Sequence, residues 1–260
     1  QTPMFTNCRL PLLAILLLLP MLANGACTIN DRQWLWNYSG SIAEKYRIGM
    51  TLVLAGSTVS GSYFYASQLA DIRLRGRIAQ GTDIVLDELD AADKVVARFE
   101  GRFLTSDPSG RYQGDKLECE IITGTWHKLD ANQGLSVRLT LDNGTAGSLT
   151  NRYAAAGAAD DELVHRQALS FWHAVKRADK PTVAALVAYP FNVVVAGSRK
   201  RIHDAKELVA NYDAIFTPQL RAAIANALPR NMFVRDQGIM LGNGEVWFGA
   251  EGRVIALNPP

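Results

Sequence analysis

Between Trp34 and Leu141 the apolar residues recur at every second position, and that period leaves the backbone little choice but extended strands. "IRLRGRI" sets Ile72, Leu74 and Ile78 against Arg73, Arg75 and Arg77, and "VARFEGRF" sets Ala97, Phe99 and Phe103 against Arg98, Glu100 and Arg102. "LSVRLTL" continues the alternation with Leu135, Val137, Leu139 and Leu141. Each segment reads as an antiparallel strand wet on one side. "RIGMTLVLAG", "TVSGSYFY", "TDIVLDEL" and "LECEIITGTW" fall between them, separated by Gly, Asp, Ser or Asn. Regular spacing of this kind predicts a meander, or a small closed barrel, over 34–142. Glycines inside "VSGS", "LRGR", "FEGR" and "ITGT" mark the bends a tightly curved barrel needs. Tyr63 and Tyr65 share one face of their strand, and a barrel this small is commonly filled by its own side chains. In the last strand of that series, Leu117, Cys119 and Ile121 are expected to face inward.

"DNGTAGSLTNRYAAAGAADDE" breaks the period, which places a linker at 143–159. A second domain follows over 160–260. Asp160 and Asp161 open a helix along Val164, Ala168, Phe171, Trp172 and Val175, with acids at its favourable end. Pro181 introduces a short second helix. "FNVVVAG" reads as a strand, "HDAKELVANYDAIF" and "TPQLRAAIANAL" as helices, and three strands close the chain. The order is α+β. In "QGIMLGNGEVWFG", Asn243-Gly244 predicts a two-residue hairpin that sends Trp247 and Phe248 to opposite faces.

The stretch from Asp161 to Asn258, carrying "FWHAVKRADKPTVAALVAYPF", "ELVANYDAIFT" and "GIMLGNGEVWF", resembles the NTF2-like (cystatin-like α+β) superfamily. That resemblance implies a long helix curled on a bent antiparallel sheet, a cone that often encloses a cavity. The first domain is similar, in architecture only, to lipocalin-like or avidin-like barrels. Both folds host unrelated functions, so neither assigns one.

The N-terminal segment 4–25 has a polar start with Arg9, an apolar run from Leu10 to Leu19, then Pro20 and small residues. This is the order of a secretory signal peptide, and the run is short for a membrane span. The expectation is an exported chain, periplasmic or secreted, with no transmembrane span once mature. A second reading cuts before Cys27 and acylates it, giving a membrane-anchored lipoprotein. Otherwise Cys27 and Cys119 are the mature cysteines, and in an oxidising compartment they are expected to pair.

A formal charge of +2 gives no reason to expect nucleic acid. His165 and His173 share a helix, but eight residues place them about 12 Å apart along its axis, too far for one metal. They read as separate surface or boundary histidines. No metal site, cofactor or catalytic group is expected from motif spacing, and no Gly-x-Ser-x-Gly or phosphate-binding loop occurs. "GSRKR" reads as a solvated turn. "NYDAIF" reads as Tyr212 and Phe216 anchoring a helix with Asp213 in solvent. The aromatics Trp172, Tyr189, Tyr212, Phe216, Phe233 and Trp247 are the candidate ligand-binding residues of the second domain. Together these features describe an exported, non-catalytic binding or interaction protein of the bacterial cell envelope. Its partner would be a protein, an envelope component or a small molecule. The alternatives are an isomerase or dehydratase working in the C-terminal cone, and a small-ligand carrier using the barrel.

Overall fold

The computed structural model describes residues 34–79, 81–104, 119–131, 133–195, 197–236 and 238–259. The segment 4–25 and Cys27 lie outside them, as does Leu117.

Eight strands follow in order: β1 (Trp34–Ile42), β2 (Tyr46–Ala55), β3 (Thr58–Tyr65), β4 (Ile72–Ala79), β5 (Asp83–Leu89), β6 (Val95–Phe103), β7 (Ile121–Lys128) and β8 (Leu135–Ala146). Each pairs with the next, and β8 pairs back onto β1, so the antiparallel meander closes into a barrel. The alternation in the sequence is the alternation of the wall. Ile48, Met50, Leu52 and Leu54 of β2 point to the lumen with Tyr63 of β3, Leu86 of β5, Phe99 of β6 and Leu139 of β8. Among the described residues these side chains fill the lumen, and the recess beside Met50, Leu86, Phe99 and Val137 measures about 10 Å³. Gly101 and Gly124 face each other across β6 and β7, where a Cβ on either would run into the opposite backbone. That close approach is why two glycines sit in register there.

In β7 the expected inward set is corrected. Ile122, opposite Phe103 and Leu139, faces the lumen, while Ile121 is buried on the other face opposite Thr140. The cause is Cys119, whose φ of 67° turns the chain before the strand begins and changes the phase. Cys119 itself is buried with the lumen residues.

The second unit contains α1 (Asp161–Lys176), α2 (Lys180–Ala185), β9 (Phe191–Val195), β10 (Ser198–Ile202), α3 (Ala205–Ala210), α4 (Tyr212–Ile215) and α5 (Pro218–Asn226). β11 (Phe233–Arg235), β12 (Gly238–Leu241), β13 (Val246–Phe248) and β14 (Val254–Leu257) complete it as a four-stranded antiparallel sheet. Asp160 caps α1 by accepting from the amides of Glu162 and Leu163, satisfying two of the free N–H groups at its start. The buried face of α1, with Val164, Ala168, Phe171 and Val175, packs with Ile239, Phe248 and Val254 of the sheet in one core. Tyr212 and Phe216 stack in that core with ring centroids 4.6 Å apart.

Three local expectations change. "GSRKR" is not a turn, since Ser198–Ile202 pairs with β9 and exposes Arg199 and Arg201 on alternate positions. The C-terminal hairpin has a four-residue loop, because Leu241 pairs with Val246. Gly242 (φ 73°) and Gly244 (φ 107°) take the left-handed positions, and Glu245 accepts the Asn243 amide at 2.6 Å. The stretch expected as a linker holds the end of β8, a 3₁₀ turn at Ala154–Ala156, and the buried side chains of Arg152 and Tyr153.

Candidate functional site

The two units meet along the outer wall of β1, β2 and β8. Arg152 is only 2% exposed, and its guanidinium makes no carboxylate hydrogen bond among the described residues, although its backbone amide donates to Asp161 Oδ2 at 2.7 Å. It donates from Nη1 to Asn37 Oδ1 at 3.0 Å and from Nη2 to Thr51 Oγ1 at 3.1 Å. Thr51 in turn donates to Asn37 Oδ1 at 2.8 Å, and Asn37 Nδ2 donates to Asn143 Oδ1 at 2.9 Å. A buried guanidinium accepted by neutral oxygens fixes which way each amide faces. Nearby, Arg230 forks onto two carboxylates, reaching Asp71 Oδ2 at 3.0 Å and Glu162 Oε1 at 2.8 Å. Asp71 precedes β4 and Glu162 belongs to α1, so this pair of forks clamps barrel to helix. A third tie runs from Thr145 Oγ1 to the Val234 carbonyl at 3.2 Å, which covers the outer edge of β11.

Beside these ties the units part to leave a cleft of about 790 Å³. This is the size of a small-molecule site. Its barrel wall is polar, with Asn37, Ser39, Arg47, Thr51, Asp142 and Asn143. Phe64 lies on this wall as well, folded over Gly49 and only 3% exposed, although its parity sends it out of the lumen. The opposite wall is more apolar. The sheet has one face in the core, and the other carries Phe233, Met240, Trp247 and Ala256 in a row of register partners, each half-buried. Phe233 and Met240 reach the cleft, as do Leu228 after α5 and the hairpin loop at Gly242, Asn243 and Glu245.

A smaller recess of about 330 Å³ adjoins the clamp and includes His165. His165 is buried, contrary to the surface or boundary position expected from the sequence. The Tyr153 hydroxyl accepts from the Met232 amide at 3.0 Å, so its own hydrogen points at His165 Nε2, 2.7 Å away. The Asn231 amide also points at Nε2. Nε2 is therefore an acceptor and Nδ1 carries the proton, which faces Glu162 Oε1 at 3.3 Å. Burial, then the positive Arg230, push His165 down to about 4. By residue type this is a carboxylate, imidazole and hydroxyl in series, but the Tyr153 ring is fully buried, and burial pushes its hydroxyl well above the ordinary tyrosine range. A hydroxyl so enclosed and held protonated is positioned as a structural link between the 3₁₀ turn, α1 and the chain before β11.

The six aromatics expected to bind ligand do not converge. Tyr212 and Phe216 are core residues. Trp172 is half-buried on α1 with the Lys176 ammonium 3.8 Å from a ring centroid. Tyr189 donates its hydroxyl to the Ala184 carbonyl at 2.8 Å, and burial pushes it up to about 12. Phe233 lines the cleft, and Trp247 shares its face of the sheet with its Nε1 donating to the Gly244 carbonyl at 3.1 Å. Asp213 is 79% exposed and pairs with Lys180 at 2.7 Å. His173 is exposed. Cys119 is disulfide-bonded, and its partner lies outside the described residues. At one end of the barrel the inward Glu88 accepts from the Tyr63 hydroxyl at 2.6 Å and from Trp126 Nε1 at 3.0 Å. No group of three or more His, Cys, Asp or Glu side chains suited to a metal ion occurs among the described residues.

Apart from Phe233, the cleft residues were missed by sequence reasoning, because polar side chains on the outer face of a strand look the same whether they meet water or another unit. One signal was present. Phe64 sits on the wet parity of its strand, beside a glycine on the neighbouring one. Comparison of the chain with protein-family models, characterised proteins and solved structures finds no match.

Proposed function

We propose that this chain is an exported, non-catalytic binding protein of the bacterial cell envelope that takes its ligand in the cleft between the barrel and the C-terminal unit. The observation that carries the reading is the contrast between filled interiors and an open boundary. Side chains occupy both the barrel lumen and the α1–sheet core, whereas about 790 Å³ lies between the two units, walled by both. A disulfide at Cys119 supports an oxidising compartment and hence export. The order of helix, helix, hairpin, helices and four-stranded sheet supports the NTF2-like resemblance. The hairpin β9–β10 departs from a single bent sheet, since its ladder is separate and only β9 lies beside β14.

Anilinonaphthalene sulfonate, an apolar anion that fluoresces when sheltered from water, tests the cleft. The native protein should bind it at one site. Asn226→Trp, which places a ring into the cleft from an exposed position, and Met240→Glu, which charges its apolar wall, should each abolish that site with cooperative folding retained. Binding that is indifferent to both variants would sink the reading.

A further inference from the structure

Five asparagines line the cleft: Asn37, Asn143, Asn226, Asn231 and Asn243. The side chains of Asn226 and Asn243 make no hydrogen bond to the described residues, and both are exposed to the cleft solvent. In Asn143 the carbonyl oxygen is taken by Asn37, so the amino group is the end left to donate. Asn37 cannot flip to release it, because Arg152 and Thr51 both donate to its Oδ1. On the barrel wall Asn37 and Asn143 are thus pre-oriented amides, while Asn226 and Asn243 across the cleft can turn to suit a ligand.

Its charges cancel. The cleft holds two arginines and two carboxylates, and three of the four are already engaged. Arg230 is forked onto Asp71 and Glu162, Asp142 accepts the Ser39 hydroxyl at 2.8 Å, and Glu245 accepts the Asn243 amide. The fourth, Arg47, is exposed and acts on Asp142 through its charge, without an ion pair among the described residues. Apart from the exposed Arg47, an ion entering here would lose hydration without meeting an unengaged opposite charge. A neutral ligand with many hydroxyl or amide groups would find donors and acceptors set out for it.

An extended peptide would satisfy amides too, but it binds best by adding to a free strand edge. No such edge opens on this cleft among the described residues. The barrel is closed, the Val234 carbonyl of β11 is covered by Thr145, and β14 is bonded to the chain at Leu186 and Ala188. What the cleft presents is the amides of Asn37 and Asn143 on the barrel side, and Phe233 and Met240 flanked by Asn226 and Asn243 on the other. A sugar ring has the matching form, with hydroxyls around its rim and C–H bonds on its face.

Taking the cleft as the binding site, on which this inference rests, we propose that the ligand is a neutral glycan segment. One ring packs its C–H face against Phe233 and Met240, and its hydroxyl or acetamido groups are held by Asn143, Asn226 and Asn243.

Displacement of bound anilinonaphthalene sulfonate separates this proposal from the one it rests on. The competitors are tetra-N-acetylchitotetraose, cellotetraose and maltotetraose as neutral glycans, with a heparin-derived tetrasaccharide, tetra-alanine and oleate as contrasts, all in the millimolar range. At least one neutral glycan should displace the dye. Asn226→Ala and Asn243→Ala, whose side chains support nothing else, should each weaken that displacement roughly tenfold once the dye's own affinity for each variant has been measured and corrected for. If none of the three neutral glycans competes, or if only a contrast compound does, the glycan assignment is overturned while the cleft stands. If dye binding ignores Asn226→Trp and Met240→Glu, the cleft itself is wrong.

Discussion

The Tyr153 hydroxyl and His165 Nε2 lie 2.7 Å apart, with the hydrogen on the tyrosine side. A proton added to Nε2 would face that hydrogen and the Asn231 amide, with Arg230 and Arg152 close by. Glu162, the opposing charge, is on the far nitrogen.

The pH dependence of stability is set by this placement. His165 is lowered from its ordinary 6.5 to about 4, so between those values the unfolded chain binds more protons than the folded one. Its contribution is complete above about pH 6.5 and is lost as pH falls toward 4, by up to about 3 kcal/mol. Glu162, held low first by its hydrogen bonds to Arg230, acts in the same direction but in the carboxylate range. Urea unfolding of the native protein should weaken from pH 6.5 to 5, and His165→Gln should flatten that slope. Equal slopes in the two proteins would show that His165 is not the group responsible.

The Arg230 clamp should couple the two units. Its side chain is 12% exposed, and its forks to Asp71 and Glu162 join barrel to α1. Arg230→Ala should cost about 2–4 kcal/mol, with a coupling of about 1–2 kcal/mol to Asp71→Asn in a double-mutant cycle. Calorimetry should then resolve separate transitions for the barrel and the C-terminal unit. A single transition, unshifted, would assign the clamp no role.

Phe248 and Trp247 are neighbours with opposite duties. Phe248 is fully buried and meets Phe171 edge to face at 5.7 Å, so Phe248→Ala should destabilise by about 3–5 kcal/mol. Trp247 is half-buried on the cleft-side face, and its truncation should cost about 1–2 kcal/mol. Asp213→Asn, at an exposed pair, should stay within about 0.5 kcal/mol and leave dye binding unchanged. Chemical denaturation of the three variants checks the ranking, which a larger loss at Trp247 than at Phe248 would reverse.

Export and the disulfide make a joint prediction. If the segment ending near Gly25 is removed, as the proposed export requires, Cys8 goes with it and Cys27 is the cysteine of this sequence left to pair with Cys119. Peptide mapping without reduction should recover Cys27 linked to Cys119. A diacylglyceryl group on Cys27 would contradict that pairing, since a sulfur held in a thioether cannot also hold a disulfide.

The barrel was legible because its cause is local: outside β7 the inward residues are announced by their neighbours' parity, as in Ile72, Leu74 and Ile78. The order of the C-terminal elements was legible for the same reason, through the Asp160 cap and the spacing of Val164, Phe171 and Val175. The hairpin loop differs from the expected two-residue turn because Gly242 competes with Asn243 for a left-handed position, and glycine takes it without steric cost. The start of β7 differs because one positive φ at Cys119 shifts the phase of the strand after it. Of the cleft residues, Phe233 alone was legible as a ligand-binding candidate. Asn37, Asn143 and Asn243 come together only through packing between units, and no periodicity encodes that.

The β1–β8 seam also orders the events of folding. Asn37 and Asn143 are 106 residues apart in the chain, so bonding them closes a far longer loop than any of the seven hairpins around the barrel. Their amide pair is part of the surface that Arg152 grips, and that surface does not exist until the loop has closed. Docking of the C-terminal unit therefore waits on the slowest contact in the barrel. In a pulse-labelled exchange experiment the amides of the seam and those around Arg152 should gain protection in the same late phase, after the sequential hairpins.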